Sequence, residues 1–192
     1  MSGEGGSRTA LPAGVAVLER AISYALGSIA LVTPPMLTRP TPCPAWDLRD
    51  LLDHLGDSMD ALLEAAETGR VALAPAAGAD AVVATVRERA VRLLGAWANA
   101  GTDLSVRIHD APLSAPVIAG AGAVEVTVHG WDVAQACGCP RPIPADLAAE
   151  LLDLAVLLVR PPDRPGRFAR PVPLPGDAPA GPRLLAFLGR TP

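Results

Sequence analysis

The sequence has no lysine; all 16 of its basic residues are arginine. We read that as the codon usage of a GC-rich genome and attach no function to it. Aromatic residues are almost as scarce, with one tyrosine, two phenylalanines and three tryptophans in 192 residues. The core must then be built from Leu, Val and Ala, a composition that favours helices. The three cysteines, Cys43, Cys137 and Cys139, are an odd number without framework spacing, which argues against a disulfide-stapled secreted domain. The opening MSGEGGSRTALPAG lacks the basic and apolar regions of a signal peptide. The longest apolar run, Ala21 to Val32, is broken by serines and is too short to span a bilayer. A net charge of −4 gives no general attraction to nucleic acid or anionic membrane. There is no glycine-rich phosphate loop, no nucleophile elbow and no nucleic-acid motif. These absences predict a cytoplasmic protein with neither nucleic acid nor membrane as partner.

What is present is apolar and helical. Half of the residues are hydrophobic, enough for a sizeable core, and the length suits one domain. Residues 1–9 are Gly/Ser-rich and are expected to be disordered. Apolar residues then recur at helical spacing at Val15, Leu18, Ile22, Leu26 and Ile29, before Thr33-Pro34-Pro35 stops the pattern. A second helix starts at Asp47 as N-cap, with Asp50 near its positive end and Trp46 placed to pack on Leu51. Its stripe is Leu48, Leu51, Leu52, Leu55, Met59 and Leu62. A third helix runs from a cap at Asp80 to about Asn99, followed by a connection over 102–112. A fourth runs from a cap at Ser114 to about Cys137, with Gly138 as its stop, and a fifth over 144–159. Residues 160–182 are rich in Pro and Arg and read as extended, and Leu184 to Leu188 as a short closing helix. The expected architecture is all-α: a metal-binding four-helix bundle with an extra helix over 10–160, and a Pro-rich tail over 161–192.

The chemistry lies on the second and fourth helices. Glu125 and His129 are four residues apart, so they share a helix face, and Asp132 continues that stripe. Ala121, Gly122 and Ala136 beside them leave room for an ion, a water or a ligand. His54 sits at the edge of the leucine stripe, near Leu51 and Ser58, and can point into a cleft between helices. Two imidazoles and a carboxylate are the inventory of a catalytic zinc site with an open position. The same set suits iron, nickel or manganese. Asp132 or Asp57 would take the second ring nitrogen of a ligating histidine. A Glu-x-x-x-His pair is equally the pattern of a solvated surface pair, so the residues alone leave metal site and polar cleft both open. His109, in the loop RIHDAP, is a candidate substrate-side residue. Cys43, between two prolines, reads as buried, with a thiol role as the alternative, and Cys137-Gly-Cys139 as structural. Arg160, Arg164, Arg167 and Arg170 read as solvated, with one of them able to reach an anionic substrate.

The stretch TPCPAWDLRDLLDHL resembles the opening motif of the mycothiol-dependent maleylpyruvate isomerases, part of the DinB-like superfamily. EVTVHGWDVAQACG is similar to their E-x-x-x-H-x-x-D-x-A segment, and PVPLPGDAPAGPRLLAFLGRTP to the tail of a shorter actinobacterial subfamily. The resemblance implies a four-helix bundle with a divalent metal, usually zinc, on the residues matching His54, Glu125 and His129. It also implies mycothiol as cofactor thiol, whose thiolate adds to a cis alkene and is eliminated after bond rotation. Asp132 and His109 are the candidates for roles beyond the metal ligands. The expectation is a metal-dependent, thiol-dependent isomerase or transferase acting on a small electrophilic metabolite or natural-product intermediate, as monomer or homodimer. The alternative is a non-catalytic metal- or ligand-binding bundle.

Overall fold

The computed structural model describes residues 10–71, 82–99, 105–108, 111–164 and 167–192. Six helices account for most of them: α1 (Ala10–Ile29), α2 (Leu48–Thr68), α3 (Val82–Ala98), α4 (Ala115–Ala136), α5 (Ala145–Leu158) and α6 (Ala180–Phe187). The first four form the bundle: α1 lies along α4, and α2 contacts both α3 and α4. α5 lies against α4, and α6 packs on α5. The all-α expectation holds, with one addition. Three short strands, β1 (Arg70–Val71), β2 (Ser105–Ile108) and β3 (Ala111–Ser114), form a small sheet in the order β1-β2-β3. β1 pairs parallel with β2, and β2 antiparallel with β3. The segment expected to be a plain connection is thus largely this hairpin. Four-residue strands with Pro112 among them carry too little alternation to be read as strands.

α2 begins as its sequence dictates. The Asp47 carboxylate accepts from the Asp50 N–H at 3.0 Å, and the Asp50 carboxylate accepts from the Asp47 N–H at 3.1 Å, a reciprocal capping box. Gly69, at φ 67°, ends the helix in the left-handed conformation. The expected cap Asp80 lies outside the described residues, as do 1–9. Ser114 stands at the N-cap of α4 but its hydroxyl caps nothing; Pro at the first turn removes one of the donors it would satisfy.

α4 is the central helix, buried on nearly every side over its length. That explains its composition, since a helix surrounded by neighbours needs apolar residues all round rather than one stripe. It is held closely to α1. A Cβ on Gly130 would lie 3.0 Å from the Ala25 Cα, so the two backbones approach closely and any larger residue would have to push α1 away by a few tenths of an ångström. At the far end of α4, the Tyr24 hydroxyl donates to the Arg141 carbonyl at 2.7 Å, and Arg141 Nη1 donates to the Gly27 carbonyl at 3.1 Å. Burial pushes the Tyr24 phenol up to about 12, so it remains a donor.

The tail is tied down at α6, whose Leu184, Leu185 and following Leu188 are buried. Gly189, at φ 85°, reverses the chain. The Arg190 N–H reaches back to the Leu185 carbonyl at 2.9 Å and the Gly189 N–H to Ala186 at 3.0 Å, the paired bonds of a Schellman turn. This turn aims Arg190 back at the bundle.

Candidate metal centre

His54 and Ser58 reach the site from α2, and Glu125, His129 and Asp132 from α4. His54 Nε2 lies 2.8 Å from Glu125 Oε1, and His129 Nε2 lies 3.3 Å from the same oxygen. Ser58 Oγ donates to that oxygen at 3.2 Å. The ligand atoms of His54, Glu125 and His129 all lie within 4.8 Å of one another. Two nitrogens and one carboxylate oxygen gathered this closely, from two rigid helices, fit a divalent ion as a donor set. The side is accessible: the side chains of His54 and Glu125 keep 37% and 34% of their surface exposed.

Behind His129 the surroundings change. Its Nδ1 lies 3.0 Å from Asp132 Oδ2, and Asp132 is wholly buried. A carboxylate on Nδ1 fixes the ring orientation and leaves Nε2 as the nitrogen facing Glu125 and His54. Of the two carboxylates weighed for this role, Asp132 fills it. Arg190 Nη2 donates to Asp132 Oδ2 at 2.8 Å and its Nε to Oδ1 at 3.3 Å, a two-pronged pair. The Cys43 thiol stands 3.5 Å from Asp132 Oδ2 and 3.5 Å from Arg190 Nη2.

These contacts set the charges. Burial opposes ionisation of Glu125, but hydrogen bonds from His129 and His54 outweigh it and hold the carboxyl well below its usual range. Burial likewise works against a charged His129. Asp132, Cys43 and Glu125 overcome it, and the ring titrates well above its ordinary value. Asp132 is kept low against its own burial by His129 and Arg190. Without a metal, the cluster is a chain of alternating charges from Glu125 through His129 and Asp132 to Arg190.

The loop before α2 builds the roof. Thr41 Oγ1 accepts from the Cys43 N–H at 3.1 Å and donates to the Trp46 carbonyl at 2.9 Å. This loop presents Trp46, whose ring lies 4.6 Å from the His54 ring and 6.1 Å from that of His129. Trp46, expected to staple the helix start on Leu51, packs against the core that contains Leu51 and has the two imidazoles as its ring partners.

His54, Glu125, His129 and Asp132 are thus brought together, and His109 lies outside the described residues. Two expectations need correction. The space beside Gly122 is not a ligand cavity: a Cβ there would meet the Leu62 methyls at 2.6 Å, so the glycine admits a leucine of α2. Among the tail arginines, Arg160, Arg167 and Arg170 are exposed as expected, while Arg164 is spent on the Ala169 and Phe187 carbonyls, each at 3.0 Å. The arginine that reaches the site is Arg190, which the sequence reading missed. Its only sequence signal is a glycine just past a short apolar helix, which reverses the chain toward the bundle. Cys43, read as buried with a thiol role as the alternative, is half-buried and part of the cluster.

Among the described residues, no helix is long and apolar enough to cross a membrane. The sequence profile of the mycothiol maleylpyruvate isomerase N-terminal domain matches residues 18–134. Two uncharacterized proteins of Mycobacterium tuberculosis, one from strain CDC 1551 / Oshkosh and one from strain ATCC 25618 / H37Rv, are similar to the chain. Each is 32% identical over 169 residues, which cover 85% of this chain and 90% of the relative. No solved structure matches.

Proposed function

Since the chain belongs to the mycothiol maleylpyruvate isomerase N-terminal domain family, we propose that it is a metal-dependent enzyme whose divalent ion, most simply zinc, is held by His54, Glu125 and His129. The observation that carries this reading is the convergence of the three donors in a half-exposed cleft. The second carboxylate speaks for an open coordination position. Asp132 sits on the far nitrogen of His129 and is occupied by Arg190, so it is not a fourth ligand closing the shell.

The bound ion supplies Lewis acidity, which lowers the pKa of a thiol or water beside it. The chain's own residues do the rest. Asp132 keeps His129 in the orientation that presents Nε2. Ser58 fixes the Glu125 oxygen from the α2 side. Trp46 covers one flank of His54 and presents an apolar surface to whatever enters. The substrate we assign is a small electrophile such as an unsaturated acid, and the co-substrate a low-molecular-weight thiol, in an isomerisation or thiol transfer.

The experiment is elemental analysis of the purified protein beside H54A and E125A, followed by assay of thiol consumption against a panel of unsaturated acids. The expected result is about one transition metal per chain, lost in both variants, together with thiol-dependent turnover that fails in H54A. Turnover that survives complete removal of the metal would overturn the proposal.

A further inference from the structure

A second set of ligand atoms lies behind His129. Cys43 Sγ, the His129 ring and an Asp132 oxygen are within 4.8 Å of one another, on the other side of the imidazole from His54 and Glu125. A thiolate, an imidazole nitrogen and a carboxylate are donors for a soft or borderline divalent cation. This position already holds a cation. The Arg190 guanidinium lies 2.8 Å from Asp132 and 3.5 Å from the Cys43 sulfur, with 12% of its side chain exposed. The Schellman turn at Gly189 delivers it, and Arg190 Nη1 is anchored on the Leu188 carbonyl at 3.3 Å. Guanidinium and metal ion would answer the same buried carboxylate, so only one of them fits at a time.

We propose that Cys43, His129 and Asp132 form a second cation-binding site of thiolate–imidazole–carboxylate chemistry, closed by Arg190 as its resident cation. The docked tail and a metal at this site exclude each other. The tail therefore decides whether the Nδ1 side of His129 is open to a cation; an ion there takes the Nδ1 lone pair, so filling both sides at once requires the ring to give up its second proton as an imidazolate. The site shares His129 with the centre proposed above, but it does not need that centre to be filled.

Cobalt(II) tests this, because cobalt bound to thiolate gives an intense near-ultraviolet charge-transfer band that nitrogen and oxygen ligands do not give. Wild type, R190M and R190M/C43S are titrated with cobalt alone, and helix content is followed by circular dichroism. The expected result is no thiolate band in wild type, a band in R190M, and its loss in R190M/C43S. R190M removes the charge that balances Asp132 but keeps most of the side-chain volume. Should it fold only when cobalt is added, a thiolate band in the refolded protein supports the site, since an ion in the first centre would stabilise the fold without giving that band. A thiolate band in wild type overturns the closure by Arg190. A folded R190M without the band, or one that stays unfolded with cobalt present, overturns the site. Failure of the first centre reads differently: wild type then binds no cobalt at all, whatever R190M does.

Discussion

The two sides of His129 are unlike. On the Nε2 side, His54, Glu125 and Ser58 stand in a half-exposed cleft, and one carboxylate oxygen serves three neighbours. On the Nδ1 side, Asp132 is fully buried and is already matched by an arginine. The open side has donors in excess of cations, which is a disposition to bind. The closed side has its own cation, which is a disposition to hold shape. A single imidazole joins them, so disturbing either side changes the other.

The largest effect is expected from removing a donor on the open side. H54A or E125A should take the metal content from about one per chain to none by elemental analysis, with the helical circular dichroism intact. Metal retained in both would make the closed side the true centre. Next comes D132A, which strands the Arg190 charge in the interior. Breaking a buried pair from one end costs about 3–5 kcal/mol, read as a shift in the urea unfolding midpoint. A change below about 1 kcal/mol would mean that water reaches Arg190. D132N keeps the shape and some hydrogen bonding but loses the charge, and should weaken metal binding by roughly 10–100-fold in chelator competition.

Proton linkage sharpens the comparison further. His129 titrates well above its ordinary value in the metal-free protein, so near neutral pH it is protonated and must release a proton to ligate. Affinity should therefore rise by about tenfold per pH unit below that raised value and level off above it. Calorimetry in buffers of different ionisation enthalpy counts the proton; none released would mean that His129 is not a ligand. The smallest effect belongs to S58A. It removes one hydrogen bond to Glu125, worth about 0.5–1.5 kcal/mol, and should lower metal affinity by no more than about tenfold.

What the sequence revealed follows from how local each signal is. The start of α2 was legible because its capping box lies within Asp47 to Asp50. His54, Glu125 and His129 were legible because a helical period fixes which residues share a face, and only three histidines compete for the role. Arg190 was not legible, because its partner Asp132 is 58 residues away and only the packing of α6 joins them. Gly122 misled for a related reason. A small residue beside polar ones looks like space for a ligand until the opposite helix is known to place Leu62 there. The sheet escaped notice because its strands draw their order from pairing with each other rather than from alternation of their own.

The close approach of α4 to α1 at Gly130 bears on ancestry. The residue next to His129 is favoured as glycine by the Ala25 backbone, which lies 3.0 Å from where a Cβ would stand. A descendant that gave up metal binding would be free to change His129, Glu125 and His54, while the adjoining glycine stayed under the same constraint. In such a lineage the glycine would outlast the histidine, as a trace of the helix crossing that once aimed it.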